Sequence, residues 1–169
     1  MKVMAQDMVI HIANGILENQ IETDRRVSSY GYWPIFLQKR GEILQILEYL
    51  PDGVTLQPGV RLTLECLKSQ QATCLSVDSG FCPPRFNQIL ATTTEVLNGE
   101  NCEGVRYEAP DHMSGWYMTG KSYNRDIETL VLVKCGELST ARPDLLKYLA
   151  LEPGFFFSSQ DGYVGKSIQ

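Results

Sequence analysis

From Asp7 to Glu22 the apolar positions Met8, Ile12 and Ile16, flanked by Val9, Ala13 and Leu17, recur every three to four residues. That spacing predicts a helix, interrupted in pattern at Asn14-Gly15. The polar, glycine-containing stretch from Thr23 to Gly31 reads as a loop, and Trp33-Pro34 leads into the next element. Over Ile35 to Leu50, Phe36, Leu37, Ile43, Leu44, Leu47 and Leu50 form one apolar stripe while Lys39, Arg40, Glu42 and Glu48 stay polar, so the pattern predicts a second helix. Pro51-Asp52-Gly53 ends it. Alternation then takes over: Leu62, Leu64 and Cys66 alternate with Arg61, Thr63 and Glu65, predicting strands at Val54 to Leu56 and Val60 to Leu67 around the turn Gln57-Pro58-Gly59. Cys74 to Val77 is a third candidate strand. Asp78-Ser79-Gly80 and Cys82-Pro83-Pro84 make the clearest break, because consecutive prolines continue neither a helix nor an interior strand.

Beyond that break the pattern mixes both periods. Ile89 to Leu97, with Thr92, Thr93 and Thr94, reads as a strand followed by a hairpin-type turn at Asn98-Gly99; Gly104 to Glu108 and Trp116 to Thr119 read as further strands. Thr129 to Cys135 is almost continuously apolar, which predicts a strand buried on both faces and central in its sheet. Ser139 and Thr140 are candidate caps for a helix from Ala141 to Ala150, with Pro143 in its first turn and Leu145, Leu146 and Leu149 on one face. Glu152-Pro153-Gly154 stops it, and Phe155, Phe156 and Phe157 form a short aromatic strand. The resulting expectation is an α+β fold: a mixed or antiparallel sheet with flanking helices over residues 86–169, preceded by an accessory region of helices and short strands over residues 1–85.

Composition narrows the class. The chain has 169 residues, 43% of them hydrophobic and 21% charged, enough to bury a core without metals or disulfides. Its single basic residue near the N-terminus and the interruptions at Asp7, His11 and Asn14 argue against a secretory signal or membrane span, so a cytoplasmic protein is expected. The five cysteines (Cys66, Cys74, Cys82, Cys102 and Cys135) contain no Cys-x-x-Cys and read as reduced, mostly buried apolar residues. The even spacing of Cys66, Cys74 and Cys82 leaves a metal or redox role as the alternative. A net charge of −5 disfavours nucleic acid and favours a basic partner. The acids Glu95, Glu100, Glu103, Glu108 and Asp111 face only Arg106 in their stretch, a concentration that a solvated loop would also explain.

The residues suggest no catalytic centre, metal site or cofactor. His11 and His112 stand in different segments without metal-ligand spacing, and the glycines occupy turns and form no phosphate-binding loop. A thiol-imidazole pair of Cys82 with His112, which would make the chain a small hydrolase, remains one alternative. A generic protein-interaction module is another. The distinctive feature is the run from Tyr107 to Gly120. Pro110 and Asp111 favour a turn, Gly115 permits a backbone geometry closed to other residues, and Trp116 and Tyr117 point to opposite faces of the following strand. One aromatic is expected to anchor the core and the other to reach the surface.

From about Ile89 to Gly165 the chain resembles the SGW-motif immunity proteins of bacterial polymorphic toxin systems, the immunity protein thirty-three type, first catalogued as a domain of unknown function. The resemblance is carried by Gly104 to Asp111 with Pro110 and Asp111, by the motif Ser114-Gly115-Trp116 and Gly120, by the strand Thr129 to Val133, and by Arg142-Pro143-Asp144-Leu145-Leu146 with Leu149 and Pro153-Gly154-Phe155. Met113 stands where members of the family usually carry an acid. The resemblance implies a non-enzymatic protein that binds and neutralises a cognate toxin, such as a type VI-secreted nuclease, by occluding its active site. An acidic surface would steer a basic toxin. Glu100, Glu103, Glu108 and Asp111 are the expected acidic contacts, with Tyr117 or Trp116 as an aromatic anchor.

Overall fold

In the computed structural model, residues 2–18, 24, 26–27 and 31–167 are described. The chain divides into two compact units, Met1–Lys68 and Ser69–Gln169. The fold is α+β, with one antiparallel sheet and one mixed sheet.

The first unit opens with α1 (Lys2–Leu17), where Met8 and Ile12 are buried and Ile16 packs beside them. The rest of its predicted extent, Asn19 to Glu22, lies outside the described residues. The expected helix over Ile35 to Leu50 is instead a hairpin of β2 (Ile35–Arg40) and β3 (Ile43–Tyr49), flanked by β1 (Arg26–Val27) and β4 (Leu56–Pro58) in the order β1-β2-β3-β4. Arg26–Val27 belongs to a stretch expected to be loop. Gly41, at φ +62°, and Glu42 form the two-residue turn between the paired Arg40 and Ile43. A glycine at the first of two turn positions supplies the positive φ that matches strand twist, and the same glycine would weaken a helix. Folding the chain back at residue 41 places apolar positions at intervals that imitate a helical stripe.

The expected strand at Val60 to Leu67 is the start of α2 (Arg61–Ser76), and the expected strand at Cys74 to Val77 is its end. Alternation held over only six residues. Over the whole segment Thr63, Leu67, Gln70 and Cys74 are buried, and their spacing of three to four residues is helical. The N-terminus of α2 is held by Glu48 of β3, which is buried; its carboxylate accepts hydrogen bonds from the Thr63 N–H at 2.9 Å and the Thr63 hydroxyl at 3.1 Å. A carboxylate at a helix N-terminus satisfies an otherwise unpaired N–H and favours the helix dipole. Gln57 also donates to Glu48, at 3.0 Å.

The second unit is built on a six-stranded sheet: β5 (Ile89–Thr92), β6 (Cys102–Arg106), β7 (Met113–Gly120), β8 (Val131–Lys134), β9 (Phe155–Ser158) and β10 (Val164–Lys166), in the order β10-β9-β6-β7-β5-β8. Only the β5–β7 pair is parallel. β8 therefore lies at an edge, contrary to the central place expected of Thr129 to Cys135, and Leu132 is 65% exposed. The apolar run crosses two elements, since Cys135 begins α4 (Cys135–Ala141), and β8 by itself alternates.

Strand β5 ends at Thr92, and the rest of its predicted extent is a short helix, α3 (Thr94–Leu97). Gly99, at φ +102°, follows that helix and serves as a helix stop instead of the expected hairpin turn. Ser139 and Thr140 lie inside α4, not at a cap. The helix expected over Ala141 to Ala150 is divided at Arg142, whose backbone is pushed to φ −138°, ψ 65° ahead of Pro143; a 3₁₀ turn over Pro143–Tyr148 follows. The core under one face of the sheet comprises Leu90, Trp116, Met118, Phe155, Phe157, Leu138, Leu145 and Leu149, all at most 2% exposed. Tyr148 stacks on Phe157 at 4.1 Å between ring centroids.

Candidate partner-binding face

The Ser114-Gly115-Trp116 segment builds the bulge from which the sheet's two faces diverge. Met113 pairs with Ile89 and Tyr117 with Ala91, so four residues of β7 span two of β5. Gly115 takes up the excess at φ +79°, and a Cβ there would lie 2.0 Å from the Tyr107 carbonyl oxygen, so only glycine fits. The Ser114 hydroxyl donates to the Ile89 carbonyl at 3.1 Å and accepts from the Trp116 N–H at 3.3 Å. Trp116 is fully buried; its indole Nε1 donates to the Leu149 carbonyl at 3.1 Å and its ring meets Phe157 edge-on.

Arg106, paired across the ladder with Trp116, also points inward and is 5% exposed. Its Nε donates to Ser114 O at 3.0 Å, and its Nη1 donates to Cys82 O at 2.6 Å, to Leu149 O at 3.1 Å and to Leu151 O. The guanidinium lies 5.8 Å from the centroid of the Trp116 ring. Burial lowers its proton affinity, yet an arginine remains a cation, so this charge is stabilised by carbonyl dipoles. A second buried arginine, Arg142, fixes the entry to β6: its Nη1 donates to Val96 O at 2.8 Å and Glu100 O at 2.6 Å while Asp144 grips the other side of the guanidinium at 2.8–2.9 Å. Asp144 is held below the ordinary carboxylate range by that bond to Arg142.

The opposite face of the same sheet is different in kind. Register places Gly165, Phe156, Val105, Tyr117, Ala91 and Leu132 directly opposite one another, one on each strand. Six strands at their usual separation make this row about 24 Å wide. Gly165 leaves space that the Phe156 ring occupies, and Tyr163 joins Phe156 at 5.9 Å. Tyr107 meets the Tyr117 ring edge-on at 5.5 Å, with the two rings 55% and 39% exposed. Together Tyr163, Phe156, Tyr117, Tyr107 and Leu132 form an apolar, largely aromatic band, the kind of surface enriched in protein interfaces.

The four expected acidic residues are all exposed. Glu103 projects from the same face as Val105, and Glu100 and Glu108 lie at opposite ends of β6, about 26 Å of extended chain apart. Asp111 sits in the loop after β6, 3.9 Å from Arg85. Of the four acids Glu103 therefore shares the face of the aromatic band, and the other three lie beyond the ends of β6. Tyr117 lies in the band; Trp116 does not, and as a fully enclosed indole it has no surface with which to anchor a partner. Pro110 and Asp111 form the loop, where Met113 N donates to Pro110 O at 2.8 Å, and Arg85 and Gln88 donate to Asp111 O. Phe156, Tyr163, Tyr107 and Leu132 are not among the partner contacts expected from the sequence; the alternation of Glu103, Val105 and Tyr107 was the available signal.

His112 and Cys82 are exposed, and neither lines the two cavities described in this structure. Burial pushes the Cys66 thiol up to about 12 and Cys135 up to about 11, which makes both poor nucleophiles. Among the described residues no group of three or more His, Cys, Asp or Glu side chains is placed to hold a metal ion, and no helix is long and apolar enough to cross a membrane.

The family model of the Imm33-like domain matches residues 69–166, starting upstream of Ile89 and taking in the second half of α2. The match covers more than half of the chain, and this protein belongs to the Imm33-like family, the immunity protein 33-like proteins. No curated protein and no solved structure matches the chain.

Proposed function

We propose that this protein is a bacterial immunity protein that binds a cognate toxin and covers its active site with the open face of the six-stranded sheet. Family membership supports a toxin as the partner. The observation that carries the choice of face is Glu103 on the side of the exposed aromatic band, with Glu100 and Glu108 beyond the two ends of β6, while the only basic residue in that stretch, Arg106, is turned into the core. Aromatic side chains supply contact energy at the centre of an interface, and surrounding charge sets the approach rate and the choice of partner. A negative rim selects a basic partner. A nuclease fits because its cleft must attract phosphate, and an acidic protein seated there competes for the same field.

The test is co-purification with the toxin encoded beside this gene, comparing wild type with the charge-reversed variant Glu100→Lys/Glu103→Lys/Glu108→Lys/Asp111→Lys. Capture is expected to fall by at least about a hundredfold at low salt, with most of its salt dependence lost. Unchanged capture and an unchanged salt profile would overturn the proposed face.

A further inference from the structure

A second site lies at the end of the parallel pair. Because β5 and β7 run in the same direction, their C-terminal ends, Thr92 and Gly120, open at one edge of the sheet, the position at which sheets containing parallel strands receive ligands. A cavity of about 300 Å³ is found there, lined by Thr93, Thr94, Glu95, Ser122, Tyr123, Asn124 and Thr129. The Gly120 N–H donates to the hydroxyl of the lining residue Thr93 at 3.3 Å. Gly120 has a purpose beyond that bond: a Cβ at this position would stand 1.9 Å from Glu95 Oε1, so the missing side chain makes room for the carboxylate.

Glu95 is only half satisfied. Its Oε2 accepts from the Ser122 hydroxyl, whereas Oε1 is withdrawn from solvent and receives no hydrogen bond. Among the described residues no ion pair joins Glu95 to a lysine or arginine, although Lys121 and Arg125 belong to the same loop. No cation among the described residues is placed against this carboxylate at the cavity wall, so the cavity favours a ligand that brings a positive charge. Its other polar groups are three threonine hydroxyls, a serine hydroxyl and an asparagine amide, all able to accept further N–H bonds, and Tyr123 offers an aromatic wall. One carboxylate is too little charge for a divalent cation of the magnesium or calcium type, and it repels anions.

We infer that this cavity binds one organic cation, a guanidinium or primary ammonium head group of the size found on arginine or lysine. The Glu95 carboxylate balances its charge, and the hydroxyl rim takes its N–H donors. The site does not depend on the immunity reading; that reading bears only on whether the head group comes from a side chain of the partner or from a free small molecule.

The experiment is an NMR titration of the full chain with butylguanidinium and butylammonium, with neutral butylurea as the comparison. Saturable shifts are expected at the amides of Glu95, Gly120 and Ser122, with Kd in the millimolar range. Glu95→Gln, which keeps the shape and the Ser122 bond, should raise that Kd at least about tenfold. No saturation, equal binding of butylurea, or an unchanged Kd in Glu95→Gln would overturn the site. Toxin capture then separates the sources. Weakened capture by Glu95→Gln assigns the head group to the partner, and unchanged capture with retained butylguanidinium binding to the wild type assigns it to a free cation. A wild-type protein that captures no toxin would sink the proposed function and leave the titration result standing.

Discussion

Two neighbouring cross-strand pairs of the β6–β7 ladder, Arg106 with Trp116 and Val105 with Tyr117, differ by a single residue in register and do opposite things. The first pair points inward, where an arginine and an indole are sealed among backbone carbonyls. The second points outward and opens the aromatic band. Successive side chains of a strand alternate between faces, so one sheet can carry a rigid internal scaffold and an external recognition surface without either constraining the composition of the other. The difference also separates two meanings of a motif. Ser114-Gly115-Trp116 signals how this fold is held, and the proposed partner face is made by residues beside the motif.

The comparison breaks most severely at Arg106. Replacing it by methionine keeps the packing volume near Trp116 and leaves the carbonyls of Ser114, Cys82 and Leu151 without that donor inside the protein. A loss of at least about 3 kcal/mol is expected, a large part of the 5–15 kcal/mol that holds an ordinary domain. Urea unfolding monitored by tryptophan fluorescence measures it. Arg106→Lys should recover only a minor share, because an ammonium cannot span carbonyls set out for a planar fork. A midpoint within error of the wild type would show that the buried guanidinium is not structurally required.

Gly115→Ala comes next. The new methyl group would meet the Tyr107 carbonyl oxygen and hold an alanine at positive φ, disturbing the bulge and the 2.9 Å bond from Tyr107 N to Gly115 O. About 2–3 kcal/mol of destabilisation is expected. Because Tyr107 is displaced with it, toxin capture should fall as well, so this variant joins the two faces that the wild type keeps apart. Hydrogen exchange at Tyr107 and Trp116 reports whether the ladder has opened.

Tyr117→Ser sharpens the contrast from the outer side. With the ring 39% exposed, stability should change by less than about 1 kcal/mol, whereas capture of the toxin should weaken at least about tenfold. Loss of both in equal measure would place Tyr117 with the scaffold. Unaltered capture would remove the aromatic band from the interface.

These assignments were legible in the sequence to unequal degrees. The demand for a glycine at 115, and the opposite directions of Trp116 and Tyr117, follow from local rules that need no tertiary information, and the structure agrees with both. The α+β class was legible from the mixture of periods. The elements of the first unit were not, because Ile35 to Leu50 satisfies a helical stripe and a folded-back hairpin equally well until Gly41 is weighed as a turn residue. The start of α2 was misread for the converse reason, a short alternation inside a longer helical pattern. Charge misleads in another way: arginine is among the residues least often fully buried, so nothing local told Arg106 apart from the surface charges around it. The row from Phe156 to Leu132 and the cavity at Glu95 depend on strand order and register, which join residues far apart in the chain.

Asp144 gives the smallest effect and a defined sign. Its carboxylate holds the Arg142 guanidinium against the start of β6, and Arg142 in turn holds its proton affinity below the ordinary value of 3.8. A folded-state value below the unfolded one means that the pair stabilises the protein above about pH 4 and loses that contribution as pH falls through the lowered value. The side chain is 57% exposed, so screening by solvent limits the effect to less than about 1 kcal/mol at pH 7. Asp144→Asn should therefore unfold slightly earlier in urea at pH 7, and the gap should close only as the pH falls through the lowered folded-state value, below which the native carboxyl is itself neutral. A gap that stayed constant after the native carboxyl had been neutralised would mean that Asp144 acts by shape and hydrogen bonding alone, and would place the hold on β6 with the carbonyl contacts of Arg142 instead of the ion pair.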